Sequence, residues 1–234
     1  MPADDFVFPP APQASLAVQG TDARFPMRRI FCVGRNYEAH AREMGKDPTR
    51  EAPFFFTKPA DAALDTPCTI PYPPQTEDLH HEIELVIAIG KGGRNIAEAD
   101  VMDHVWGASV GIDLTRRDLQ AEAKKAGRPW DWGKAFDNSA PIAALKPIAD
   151  VPSVEQGRIW LAVNGEVRQD ADLADLIWSV REHVAILSQS MALAPGDIIM
   201  TGTPAGVAAL VEGDVVTGGV DGIATLEATI GPRA

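Results

Sequence analysis

Sulfur is scarce in this chain: of 234 residues only Cys32 and Cys68 are cysteines, in no Cys-x-x-Cys pair. A disulfide framework is thereby excluded, and two free thiols fit a reducing compartment. Long apolar runs are missing too. Nothing approaches the roughly 18 to 20 apolar residues a membrane-spanning helix needs. The stretch Met1-Pro2-Ala3-Asp4-Asp5 lacks the basic and apolar regions of a secretory signal, so the cytoplasm is the expected location. Positive charge is short: 21 Lys and Arg stand against 33 Asp and Glu, a net charge of -12. Phosphate backbones and anionic lipid surfaces would be repelled, so no nucleic acid and no membrane partner is expected, and small molecules lead.

Familiar catalytic signatures are also absent. There is no Walker A sequence, no G-x-G-x-x-G and no H-E-x-x-H. Gly107-Ala108-Ser109-Val110-Gly111 does spell G-x-S-x-G, the nucleophile elbow of serine hydrolases. That elbow requires a helix starting right after the serine. Here the alternation Ala108, Val110, Ile112 runs straight through the motif, which puts Ser109 inside a strand and removes it as a nucleophile.

The length and a 45% hydrophobic fraction suit one large domain with a core of its own. Residues 1–26, rich in proline and alanine, read as an extended N-terminal arm, and 27–234 as the main domain. Strands are expected at Arg28–Val33, Phe54–Phe56, Glu82–Ile89 and Val105–Leu114. Ile159–Val163 and Glu166–Gln169 flank Asn164-Gly165, the best hairpin turn in the chain. Helices are expected at Tyr37–Met44, Asp118–Ala126 and Leu173–Met191. Gly45 and Gly127 stand where the first two should end. Strands outnumber helices, which makes the class α+β.

The chemistry begins with Glu82 and Glu84. Two residues apart on a strand, they project from one face while Ile83 and Leu85 point the other way. Two anions side by side on an apolar strand need a positive partner, and a divalent cation supplies it most directly. Oxygen-only ligands suit a hard ion such as Mg²⁺, Mn²⁺ or Ca²⁺. Asp113, ending the next strand on the face opposite Ala108, Val110 and Ile112, is the candidate third ligand. A bare E-x-E is weak evidence, since an edge strand with solvated glutamates reads the same.

Between Arg116 and Lys134 lie six cations and three acids, against the trend of the whole chain. Lys124 and Lys125 read as a solvated helix face. Lys134 follows Trp130-Asp131-Trp132-Gly133, an aromatic loop for which a solvated helix face gives no account. A lysine beside a metal makes a site for an anionic oxygen ligand such as a 2-oxo acid. His40 and Glu43, three apart on a short helix, share a face. A carboxylate on one imidazole nitrogen raises the basicity of the other, which makes a water-activating pair. Gly34 and Gly45 flank that helix and would allow it to hinge as a lid.

Together these segments resemble the fumarylacetoacetate hydrolase superfamily. The resemblance rests on Gly34-Arg35-Asn36-Tyr37 with His40 and Glu43, Phe55 to Pro59, and His81-Glu82-Ile83-Glu84-Leu85. It continues through Gly111 to Thr115 with Arg117, Asp118 and Gln120, then Gly133 to Asp137, and Thr201-Gly202-Thr203-Pro204. It implies a mixed β-sheet rolled into a barrel-like β-roll with a few peripheral helices, a catalytic domain over 27–234, and a homodimer. It also implies Mg²⁺ or Mn²⁺ on Glu82, Glu84 and Asp113, a catalytic role for His40, Glu43 and Lys134, and substrate contacts from Arg35, Arg117, Gln120 and Thr203.

The implied reaction is hydrolysis of the C–C bond of an acylpyruvate (a 2,4-dioxo acid). Phe25–Met44 and the run from Asp113 to Pro141 are most similar to bacterial members of the gentisate pathway, which points to fumarylpyruvate, cleaved to fumarate and pyruvate. Oxaloacetate decarboxylation or isomerisation of a 2-hydroxydienoate could use the same metal site. A non-catalytic, metal-stabilised binding protein is the remaining alternative.

Overall fold

A strand with no polar face must be covered on both sides, and the run from Glu82 to Ile89 sets the architecture in that way. In the computed structural model, which describes residues 6–43 and 51–233 (the Ala41 and Glu43 side chains excepted), the strand Ile83–Ile89 is buried along its whole length. It lies inside an eight-stranded mixed sheet. The order is Phe54–Lys58, Arg29–Gly34, Asp197–Met200, Ile83–Ile89, Val105–Ile112, Ala140–Ile142 and Ala63–Asp65, with Lys146–Pro147 also on Val105–Ile112. Arg29–Gly34 runs parallel to Asp197–Met200, and Ala140–Ile142 parallel to Ala63–Asp65; the other pairings are antiparallel.

A second sheet has the order Glu166–Asp172, Arg158–Val163, Val215–Val220, Ala224–Arg233 and Cys68–Tyr72. Ile83, Leu85, Ile87 and Ile89 face it, in one core with Val110, Ile112, Leu161, Val216 and Leu226. Val86 and Ala88, on the opposite face, pack with Leu16, Val18 and Phe25. Those three belong to a two-stranded hairpin, Ser15–Val18 with Thr21–Pro26, so the proline-rich start of the chain is extended where described. The whole is an α+β roll with one curled half-barrel sheet and few helices. None of the described helices is long and apolar enough to cross a membrane.

Local chemistry accounts for the expected elements. Asn164 and Gly165 have φ of 53° and 82°, the primed turn that matches strand twist. The helix Arg117–Ala126 ends at Gly127 in the left-handed region, φ 64°. Ser109 sits within Val105–Ile112, its hydroxyl donating to the Ala143 carbonyl at 2.8 Å, as a strand residue and not a nucleophile.

Two expectations need correction, and a third is only partly testable. Leu173–Met191 is not one helix: a single 3₁₀ turn, Leu173–Asp175, is followed by an extended segment and then the helix Val180–Ser190. Asn36 overrides the local propensity. Its carbonyl and side-chain oxygens accept from the Ile177 and Trp178 amides, and its amide group donates to the Trp178 and Thr201 carbonyls. The helix then starts at Ser179, which forms a reciprocal capping box with Glu182. Lys134 stands at the end of a one-turn helix, Asp131–Lys134, where a loop was expected. The lid helix spans Glu38–Glu43. Gly34 is a paired strand residue against Phe54, and a Cβ there would meet the Phe54 ring at 2.0 Å, so close packing explains it and a hinge does not. Met44 and Gly45 lie outside the described residues.

Gly111 pairs with Glu84 across the central strands, where an added Cβ would meet Val86 and Ile142 side-chain atoms at 3.0 Å and the Pro141 carbonyl at 3.2 Å. Gly111→Ala should therefore lower stability by about 1–3 kcal/mol through overpacking. Urea melts reading the midpoint at an unchanged slope would check it.

Candidate active site

At one end of the central strand pair the ladder continues one residue further. The Asp113 amide donates to the Glu82 carbonyl at 2.8 Å, which sets Glu82 and Asp113 opposite each other beyond Ile83 and Ile112. Like charges directly across a sheet repel. Glu84 joins them on the same face, and one carboxylate oxygen from each residue lies within 4.8 Å of the others. All three are buried, which excludes the solvated edge-strand alternative.

Three cations from other elements offset this charge. Lys134 Nζ donates to Glu82 Oε2 at 2.8 Å and to Asp113 Oδ2 at 2.6 Å. Arg117 donates to Glu82 Oε1 and, at 2.6 Å, to Gln120 Oε1. Lys58, which sequence reasoning quoted within a motif but gave no role, has its Nζ 2.9 Å from Asp113 Oδ1. Its hydrogen bonds go to the Leu114 and Lys134 carbonyls, so that ion pair lacks hydrogen-bond geometry and Asp113 Oδ1 has no donor among the described residues. The signal for Lys58 was a lone cation closing the apolar strand Phe54–Lys58. Among the described residues Glu84 receives only the Gly202 amide, at 2.8 Å.

The pKa shifts follow this unequal sharing. Burial acts to raise the Glu82 carboxyl, but Lys134, Arg117 and His40 outweigh it and hold it well below the usual carboxylate range. Burial acts against charge on Lys134, yet Asp113 and Glu82 push its ammonium up to about 12. Glu84 goes the other way: burial first, then repulsion from Asp113 and Glu82, raise it well above the ordinary value. Without a metal, Glu84 thus binds its proton more tightly than an ordinary glutamate.

These features fit a hard dication. The donor set is all oxygen, Asp113 offers a buried carboxylate oxygen without a donor, and Glu84 lacks a cationic hydrogen-bond partner among the described residues.

The triad opens into a narrow cleft that brings together most residues singled out from sequence. His40, Arg35, Arg117, Gln120, Lys134 and Thr203 all line it with Glu82, Glu84 and Asp113. His40 is buried, on the helix Glu38–Glu43; the Glu43 side chain lies outside the described residues. Arg35 adopts φ 56°, costly for a residue with a Cβ and concentrated at functional sites. Its guanidinium lies 5.2 Å from the Phe54 ring centroid, where the cleft meets a neighbouring hollow lined by Arg128 and Trp130.

A mixed β-roll carrying a buried all-oxygen triad beside a lysine has the donor set of a hard-metal centre for an anionic oxygen ligand. The chain belongs to the fumarylacetoacetate hydrolase family: residues 29–231 match the family described as fumarylacetoacetate (FAA) hydrolase C-terminal. Among its relatives, a fumarylpyruvate hydrolase of a Ralstonia species is 45% identical over 186 residues, covering 80% of this chain and 96% of the relative. The human mitochondrial oxaloacetate tautomerase FAHD1 is 39% identical over 199 residues, covering 85% and 90%. The crystal structure of a fumarylpyruvate hydrolase from Pseudomonas aeruginosa, in complex with Mn²⁺ and pyruvate, superimposes with a TM-score of 0.95 at 49% identity, covering 98% of this chain and all (100%) of that one.

Glu84 yields a test with a definite sign. A carboxyl that binds its proton more tightly folded than unfolded makes the metal-free protein less stable as pH rises above the ordinary glutamate value. A metal must displace that proton, so its affinity should rise with pH over the same window. Glu84→Gln should abolish tight Mn²⁺ binding in calorimetry, yet raise the melting temperature of the chelator-treated protein at neutral pH.

Proposed function

We propose that this protein is a metal-dependent hydrolase that cleaves the C3–C4 bond of fumarylpyruvate to give fumarate and pyruvate. The observation that carries the reading is a histidine lining the same buried cleft as the acidic triad and Lys134, because hydrolysis needs a base for water beside a charge sink for the leaving enolate. Identity of 45% to a fumarylpyruvate hydrolase, and a fold matching one solved with Mn²⁺ and pyruvate, support this substrate class.

In this reading Glu82, Glu84 and Asp113 hold Mg²⁺ or Mn²⁺, which supplies a Lewis acid for the oxygens of the 2-oxo acid end. Thr203, Arg117 and Gln120 orient that end. His40 takes a proton from water, and the hydroxide adds to the C4 carbonyl. Collapse of that adduct breaks the C3–C4 bond, leaving fumarate with its new carboxylate and sending the electron pair to C3 as pyruvate enolate. Lys134, fully charged between Glu82 and Asp113, faces the developing negative charge with little rearrangement. Protonation at C3 gives pyruvate.

The second carboxylate of fumarylpyruvate needs a cation of its own. Arg117 is committed to Glu82 and Gln120, and the Arg116 guanidinium lies 4.3 Å from the Phe136 ring centroid. Of the two hollows Arg128 lines only the neighbouring one, whereas Arg35 borders both and has no carboxylate partner among the described residues, so Arg35 takes this role.

The identity to an oxaloacetate tautomerase supplies a second reading on the same site, in which a proton moves and no C–C bond breaks. A panel of fumarylpyruvate, acetylpyruvate and oxaloacetate with added Mg²⁺, followed by loss of enol absorbance and by pyruvate release, separates the two. Fumarylpyruvate should be preferred, with chelator abolishing turnover. His40→Ala should lower hydrolysis by a factor of roughly 10² to 10⁴. A preference for oxaloacetate without pyruvate release would overturn the hydrolase reading. Arg35→Ala should raise KM for fumarylpyruvate by roughly tenfold or more while leaving acetylpyruvate, which lacks the distal acid, nearly unaffected.

A further inference from the structure

Gln169 does not line the cleft, yet it is fully buried and all its amide capacity is directed at two cleft-forming segments. It sits on the strand Glu166–Asp172, in the sheet that does not carry the metal-ligating acids. Its Nε2 donates to Thr203 Oγ1 and to the Pro204 carbonyl, both at 2.8 Å. Its Oε1 accepts the Ile83 amide at 3.1 Å and meets His81 Nδ1 at 3.0 Å.

Two of these partners fix the orientation of the amide. A carbonyl can only accept and a backbone N–H can only donate, so nitrogen must face Pro204 and oxygen must face Ile83. The remaining roles follow. His81 Nδ1 carries a proton, and Thr203 Oγ1 is an acceptor toward Gln169. The Thr203 hydroxyl proton is then left over, because this hydroxyl donates to no group among the described residues. Thr203 lines the cleft, so that proton is available to an anionic oxygen there.

We propose that Gln169 is a positioning residue that holds the Thr203 hydroxyl as an obligatory donor to the carboxylate end of the 2-oxo acid. By bonding Ile83, which lies between Glu82 and Glu84, it also ties that donor to the strand carrying two of the acids. The inference rests on the proposed substrate class, since it assigns the carboxylate end of that substrate to Thr203.

Gln169→Glu keeps the shape and the acceptor facing Ile83 but presents an acceptor to Thr203. The hydroxyl then turns to donate to residue 169 and is lost to the ligand. Pyruvate, titrated calorimetrically into Mn²⁺-loaded protein, should bind roughly 10- to 100-fold more weakly to Gln169→Glu. Thr203→Val should show the same loss and Thr203→Ser should not. The two losses should fail to multiply in the double variant, because both remove one hydrogen bond, and Mn²⁺ affinity of Gln169→Glu should match the parent.

Wild-type affinity for pyruvate in Gln169→Glu, or losses that multiply in the double variant, would overturn the proposal. If Gln169→Glu does not fold, Thr203→Val decides alone, since wild-type pyruvate affinity there refutes a donor role. Wild-type hydrolysis of fumarylpyruvate is measured alongside. A wild type with no acylpyruvate turnover removes the underlying reading, whereas an active wild type with unaffected variants removes only the role of Gln169.

Discussion

Three carboxylates share one buried corner of a β-roll, and every other feature of the site answers the repulsion this creates. Glu82 and Asp113 face each other where two strands run out, with Glu84 one step behind. In water such a trio would cost little; out of water it needs compensating charge. Lys58, Lys134 and Arg117 supply it from three separate parts of the chain, so the charge balance exists only once the tertiary structure has closed.

That compensation is uneven, and the unevenness has chemical content. Glu82 and Asp113 take the cations as direct ion-pair partners while Glu84 takes a backbone amide. Burial and its anionic neighbours make Glu84 hold a proton more tightly than an ordinary glutamate, and a dication entering in exchange for that proton changes the net charge by only one unit. The site can load a metal without rebuilding its surroundings.

Much of this was readable in sequence because strands broadcast their faces. The alternation in Glu82–Leu85 put both glutamates on one side, and Ala108, Val110 and Ile112 put Asp113 toward them. What stayed hidden depended on distant partners. Nothing local to Leu176–Trp178 says that Asn36 will hold it extended. Nothing near Lys58 or Gln169 says that a lysine and a glutamine on strands will be buried against residues from distant parts of the chain. Alternation reports which way a side chain points; it does not report what meets it there.

The hairpin of residues 15–26 backs the strand that leads from Glu82 through Glu84 to Ile89. Leu16 and Phe25 seal the side of Ile83–Ile89 from which, two residues beyond Val86, Glu84 emerges. The side-chain amide of Gln13 fastens the start of this hairpin to the Met27 carbonyl at 2.6 Å. A fusion junction or cleavable tag would therefore be placed ahead of Gln13. Trimming past it would unseat the rear wall of the strand that leads from Glu82 to Ile89, and an enzyme shortened for crystallisation would lose the shape of its acidic corner without losing one of the three acids.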